Sequence, residues 1–310
     1  METTSHLGAA TIGTGVESLA TTNSRKLSYY IELTKPRILT MILLTVVMAM
    51  VAAGTSPSLW TVLHACFGTA LVAASASVMN QWIEKDRDAI MMRTCKRPLP
   101  SGRIASTQAA WMGWILVIVG SIYLAALVNL PTMLGGLATW GLYVWVYTPL
   151  KMVSWTNTLV GTLPGALPVW MGWTAADGSL ADPRAWILLG VLIAWQLPHF
   201  MAIAYMYRQQ YEAAGYKMIT VTDKSGRGAG WHAMLGSFGL IVLAFLAVPP
   251  VSVISGILCA LAVAVSLWQT RAAWRFVLQP DMQTARSMLR VSLLHLPLTM
   301  LFILLAVLLG

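Results

Sequence analysis

Apolar residues gather in nine long segments, at about 38–54, 59–80, 108–128, 132–148, 157–175, 185–206, 231–248, 251–269 and 291–309. They are rich in Leu, Ala and Met, and they lack the strict alternation that marks a half-buried strand. Several approach or exceed the ~18–20 residues that a helix needs to cross a bilayer. The pattern predicts an all-α integral membrane protein of nine transmembrane helices. Asn129-Leu130-Pro131 and Pro249-Pro250 leave room only for tight hairpins between neighbouring spans. Residues 1–28 carry Ser, Thr, Gly and Ala without an apolar core, and are expected to form a disordered tail ahead of one transmembrane domain over 29–310.

Composition agrees with that reading and narrows the function. Of 310 residues, 57% are hydrophobic and 10% charged, against about 25% charged in a soluble domain. A disordered chain, an ordinary soluble enzyme and a nucleic-acid-binding domain are excluded. The formal charge of +9 is therefore loop charge. Every Lys and Arg except Arg184 falls in the N-terminal segment or in the loops after helices 2, 4, 6 and 8. By the positive-inside rule the N-terminus is cytoplasmic and the C-terminus faces the periplasm or exterior. The long loops lie on the cytoplasmic side, where function is expected. Cys66, Cys95 and Cys259 lie far apart and offer neither a disulfide framework nor zinc-ligand spacing.

Helix 2 ends in a polar ridge. Asn80, Glu84 and Asp88 stand at i, i+4 and i+8, so they drift by only ~80° around the axis and rise ~6 Å per step. Asp86 points elsewhere. Oxygen donors without His or Cys suit a hard cation such as Mg2+, which usually shares its coordination with substrate phosphate. The plainer alternative is a charged helix end with local pairs, Glu84 with Arg87 or Asp88 with Lys85. The loop that follows holds Arg93, Lys96, Arg97 and Arg103. Carboxylates, a metal and arginines together make a diphosphate site; the loop cations alone would equally suit a lipid headgroup.

Asn80-x-x-x-Glu84-x-x-x-Asp88 followed by Met92-Arg93-Thr94-x-x-Arg97-Pro98-Leu99-Pro100-Ser101-Gly102 resembles the first signature of the UbiA superfamily of intramembrane prenyltransferases. The Arg-Thr-x-x-Arg-Pro-Leu extension resembles the branch that farnesylates protoheme IX. Leu33-Thr34-Lys35-Pro36-Arg37, Tyr147-x-x-x-Lys151, Asn157 with Gly161–Pro168, and Trp195-Gln196-Leu197-Pro198-His199-Phe200 resemble further family segments, in the family's order. The resemblance implies a UbiA-like helical bundle with a central cavity open to the cytoplasm, Mg2+ as cofactor, and farnesyl diphosphate and heme b as substrates. It also implies heme A synthase or terminal oxidase assembly proteins as partners. The tail, with only Arg25 and Lys26 as cations and two Glu, makes a poor transit peptide and favours a bacterial cell (inner) membrane over a mitochondrial one. An aromatic or quinone-precursor acceptor, and a non-catalytic heme-binding membrane protein, are the alternatives. The residues implied for metal are Asn80, Glu84 and Asp88, with Tyr147, Lys151 and His199 joining them in catalysis. Lys35, Arg37, Arg93, Arg97, Arg208, Tyr211 and Glu212 are implied for substrate.

One departure stands out. The family's second acidic motif follows helix 6, and here Gln209 and Gln210 occupy the place of its Asp before Tyr211. Glu212 and Asp223 are the nearest acids. A Gln oxygen carries no charge, so a second metal ion is in doubt while one on Glu84 and Asp88 stands. His199 is expected deep in its span, a functional candidate by that position alone, or else a neutral His bonded to a neighbouring group. His232 and His295 are weaker candidates of the same kind. Trp60, Trp111, Trp173 and Trp186 suit an interfacial belt. Trp82, Trp195, Tyr147 and Tyr205 lie nearer the motifs, where a ring can line an apolar tunnel or face a carbocation.

Overall fold

The structure is a computed structural model that describes residues 26–309. The expected tail over 1–28 lies outside the described residues up to residue 25, and Lys26 already opens a helix. Helices α1 (Lys26–Leu33) and α2 (Pro36–Ala52) meet at a bend of 47°. Pro36 disfavours helical geometry at the residue before it, and Lys35 takes the left-handed conformation, φ 52°. There follow α3 (Leu59–Asp88), α4 (Ser106–Leu127) and α5 (Leu130–Gly141), which runs through a π-helical segment, Leu142–Tyr147, into α6 (Thr148–Val153). Next are α7 (Asn157–Ala166), α8 (Pro168–Ala175), α9 (Pro183–Met206), α10 (Arg208–Ala213) and α11 (Ile219–Thr222). Helices α12 (Arg227–Ala247), α13 (Val253–Leu278) and α14 (Met282–Leu309) complete the chain.

Among the described residues there is no strand, and six helices (α3, α4, α9, α12, α13 and α14) are long and apolar enough to cross a membrane. The bent pair α1–α2 makes a seventh if taken as one span. The segments expected as spans at 132–148 and 157–175 are helical but broken. Pro149 has no N–H to continue the ladder, and the preceding residues widen into the π segment. Pro168 follows the turn at Leu167 that separates α7 from α8.

Small residues let the helices meet closely, as membrane packing requires. Ser75 of α3 donates to the Gly113 carbonyl of α4 at 2.6 Å and accepts from Trp140 Nε1 at 2.8 Å. Pro198 frees the carbonyl of Ala194 within α9. A Cβ on Gly236 of α12 would lie 2.5 Å from that oxygen, so only glycine allows the approach. Gly236→Ala is therefore expected to lower stability by roughly 1–3 kcal/mol, read as a lower unfolding temperature of the detergent-solubilised protein. Helix α14 packs on both α9 and α2.

Large apolar side chains face outward along the bundle, Leu59, Ile122, Leu235 and Phe238 among them. Trp60, Trp111 and Trp186 are exposed, as a belt requires. Trp173 is not: it is fully buried. Helix α8 lies against α2, and the turn after α8 folds over the ring, whose Nε1 donates to the Ser179 carbonyl at 3.0 Å.

Candidate active site

The last three turns of α3 present Asn80, Glu84 and Asp88, all buried, on the ridge that their spacing dictates. Each meets a cation from a different element. Lys35 Nζ, at the α1–α2 bend, donates to Asn80 Oδ1 at 2.9 Å. Lys151 Nζ, on α6, donates to Glu84 Oε1 at 2.8 Å. Arg97, in the loop after α3, donates to Asp88 Oδ2 at 2.7 Å. The local pairs weighed from sequence do not form: Arg87 donates to the Ala214 carbonyl, and Lys85 to Ser106 Oγ at 3.4 Å.

Local structure explains why these groups converge. The left-handed Lys35 and the following Pro36 redirect the chain beside α3. A non-glycine residue held at positive φ costs on the order of 1–3 kcal/mol and is a mark of functional sites. On the other side, Thr148 Oγ1 donates to the Tyr143 carbonyl at 2.8 Å and accepts from Asn80 Nδ2 at 3.1 Å. Lys35, Asn80 and Thr148 thus form one chain of hydrogen bonds. The π segment brings Tyr143 and Tyr147 side by side, ring centroids 5.4 Å apart. Lys151 Nζ lies 4.5 Å from the Tyr147 centroid. Gly161 of α7 makes room for that ring, since a Cβ there would sit 2.5 Å from it. Thr94 Oγ1 donates to the Asp88 carbonyl at 2.8 Å, closing the C-terminus of α3, where Arg97 also complements the helix dipole.

The residues expected after α9 behave differently. Arg93 leans over Tyr207, 4.6 Å from its centroid, and donates to Tyr211 OH at 3.1 Å. Its backbone N–H donates to Gln210 Oε1 at 3.1 Å. Glu212 is exposed and pairs with Lys224 at 3.4 Å. Asp223 accepts from Ser225 and from the Gly228 N–H at the start of α12, and these bonds hold its carboxyl below the usual range. Arg208 sits 4.1 Å over the Tyr205 ring, and Arg37 is exposed on α2.

His199 is turned to α14: it stacks on Trp195, and its Nδ1 meets Ser292 Oγ at 3.0 Å. His295 is buried against Ser266 at 3.1 Å, and His232 bonds the Gly228 carbonyl at 2.7 Å. Of the four aromatic residues expected near the motifs, Tyr147 lies against the Lys151–Glu84 pair. Trp195 donates to the Ser292 carbonyl, and Tyr205 bonds the Pro280 carbonyl.

Three members of the site carried no signal of their own in the sequence: Tyr143, Thr148 and Tyr216. Tyr216 is buried in the loop after α10. Burial pushes its phenol well above the ordinary value, and the nearby Glu84 and Asp88 carboxylates add to that while Lys151 opposes it. Chain continuity and proximity bring it here, because the Lys217 N–H donates to the Lys151 carbonyl at 2.7 Å. No periodicity in the sequence forecasts that contact.

Two acids and three basic side chains gather here, and the basic groups suit an anion with several oxygens. Asn80, Glu84 and Asp88 are hard oxygen donors that each already accept from a basic nitrogen, so their chemistry fits one hard divalent cation.

The chain is similar to known proteins both in sequence and in fold. The UbiA prenyltransferase family matches residues 41–307. The chain is 43% identical over 278 residues to protoheme IX farnesyltransferase of Rhodopirellula baltica, covering 87% of this chain and 97% of the relative. It is 36% identical to the Solibacter usitatus protein of the same name, covering 87% and 95%. In fold it is similar to a solved digeranylgeranylglyceryl phosphate synthase, with TM-score 0.74 and 15% identity over 91% of this chain and 99% of that one. It is also similar to a UbiA homologue from Archaeoglobus fulgidus bound to GPP and Mg2+, with TM-score 0.64 and 15% identity over 89% and 99% of the two chains.

Proposed function

Since this chain belongs to the UbiA prenyltransferase family, we propose that it transfers the farnesyl group of farnesyl diphosphate to a vinyl group of heme b, giving heme O. The observation that carries the chemistry is the buried cluster in which Lys35, Lys151 and Arg97 each hold one oxygen of Asn80, Glu84 and Asp88. The acceptor is taken from the heme-farnesylating relatives, which match nearly end to end.

Asn80, Glu84 and Asp88 would hold one Mg2+, and that ion, when bound, neutralises the leaving diphosphate. The chain's own groups do the rest. Lys35, Lys151 and Arg97, which in this structure each hold one oxygen of that ridge, would grip phosphate oxygens once those oxygens were given up to the ion, an electrostatic effect that grows as water is excluded. The allylic C–O bond breaks and diphosphate departs. The vinyl group attacks the farnesyl cation, water adds to the resulting porphyrin-side cation, and one proton is released. Tyr143 and Tyr147 line the mouth with aromatic faces, which attract a cation by ~0.5–2 kcal/mol. Arg93, Tyr211 and Arg208 serve the outer rim, while His199 is turned to Ser292 of α14.

The bundle works as nine spans, with α5–α6 and α7–α8 as the two broken ones, around a cavity open to the cytoplasm. The confinement of every Lys and Arg but Arg184 to the N-terminal segment, the helix ends and the connections of one side supports that orientation; Arg271, Arg275, Arg286 and Arg290, expected in a loop, lie in the facing ends of α13 and α14. The setting is a bacterial cell membrane, with heme A synthase or terminal oxidase assembly proteins downstream. Pigments extracted from cells with and without the protein test the function. A farnesylated heme that depends on the protein is expected; a changed quinone pool with unaltered heme would overturn the assignment.

A further inference from the structure

Only three of the eleven acidic residues follow α9, and each is engaged elsewhere. Glu212 pairs with Lys224 on the surface. Asp223 holds the Ser225–Gly228 turn, and Asp281 accepts from Thr284 at 2.7 Å. The region where the family resemblance expects a second metal-binding acid thus does not fit a second ion.

The same region does something else. Gln210 Oε1 accepts the backbone N–H of Arg93, Tyr211 OH accepts from its guanidinium, and Tyr207 lies under the guanidinium plane. Arg93 therefore has its main chain and its side chain held by three residues of the α9–α10 junction. A second tie lies alongside: Arg87 of α3 donates to the Ala214 carbonyl, and Gly215, at φ +75°, leaves room for it. The loop so fastened also carries Arg97, the partner of Asp88.

We propose that Gln210 is a positioning residue, which with Tyr207 and Tyr211 fastens the cationic 91–104 loop across the site in place of a second metal ion. The enzyme accordingly works with one divalent ion, held by α3. Gln210 touches no reacting atom; it acts by keeping Arg93 and Arg97 in register.

The latch is tested on the full-length protein by limited trypsin digestion, with cleavage after Arg93 and Lys96 followed by mass spectrometry. Cleavage at the loop before α12 serves as the internal reference for folding. Gln210→Ala should raise the rate at Arg93 and Lys96 about fivefold, as loss of one hydrogen bond implies. Gln210→Glu keeps an acceptor oxygen and should restore wild-type protection. Equal rates in wild type and Gln210→Ala, or no rescue by Gln210→Glu, would overturn the latch.

The ion count rests on the farnesyl-transfer reading and is measured separately, by Mn2+ spin resonance with farnesyl thiodiphosphate as probe. One bound ion per chain is expected, and two would overturn the single-ion claim. Failure of the probe to bind at all would count against the farnesyl reading itself, and the protease result would stand apart from it.

Discussion

Asp88→Asn should leave the protein in the membrane at its normal level and lower farnesyl transfer by roughly two to three orders of magnitude, the usual loss when one preorganised electrostatic group is removed from a site. Asn matches Asp in shape, so packing around a side chain that is 2% exposed is kept. What changes is charge. The Arg97 guanidinium, 2.7 Å from Asp88 Oδ2, loses its counter-ion, and one of the two carboxylates proposed to hold the ion is gone. Product formation per unit of membrane-inserted protein measures the effect. Unchanged turnover would remove Asp88 from the site.

Lys151→Met should damage both activity and stability. Lys151 and Glu84 form an ion pair of 2.8 Å with both side chains largely buried. Removing one partner of such a pair leaves an uncompensated charge and costs about 3–5 kcal/mol. Methionine keeps the apolar stem beside Tyr147 but cannot neutralise Glu84. A lower unfolding temperature is expected, together with loss of turnover of at least about a hundredfold. The double variant Lys151→Met/Glu84→Gln separates the two effects: stability should recover in large part, because no lone buried charge remains, while activity should not. Recovery of activity in the double variant would mean that the pair is structural only.

How far the sequence foretold this site follows from what a one-dimensional pattern can carry. The ridge of Asn80, Glu84 and Asp88 was legible because helical periodicity alone sets it. The cations were legible as candidates, but not as partners: Lys35 reaches Asn80 across 45 positions and Lys151 reaches Glu84 across 67. Only folding decides those pairings. The same limit explains the two broken helices. Pro149 and Pro168 mark breaks in the sequence, but the π segment that aligns Tyr143 with Tyr147 depends on packing against α7. Trp173 reads as interfacial from its place near a span end and is buried because the following turn closes over it. Gln210 reads as a missing acid; its bond to Arg93 gives it a different part to play.

The most direct test of the account uses purified protein with heme b and farnesyl diphosphate, counting diphosphate released and farnesylated heme formed. The two should appear in equal amounts, stop when EDTA removes divalent ions, and resume when Mg2+ is restored. Farnesylated heme that forms undiminished in EDTA, or in a protein carrying both Glu84→Gln and Asp88→Asn, would contradict the claim that these buried oxygens hold the ion on which diphosphate departure depends.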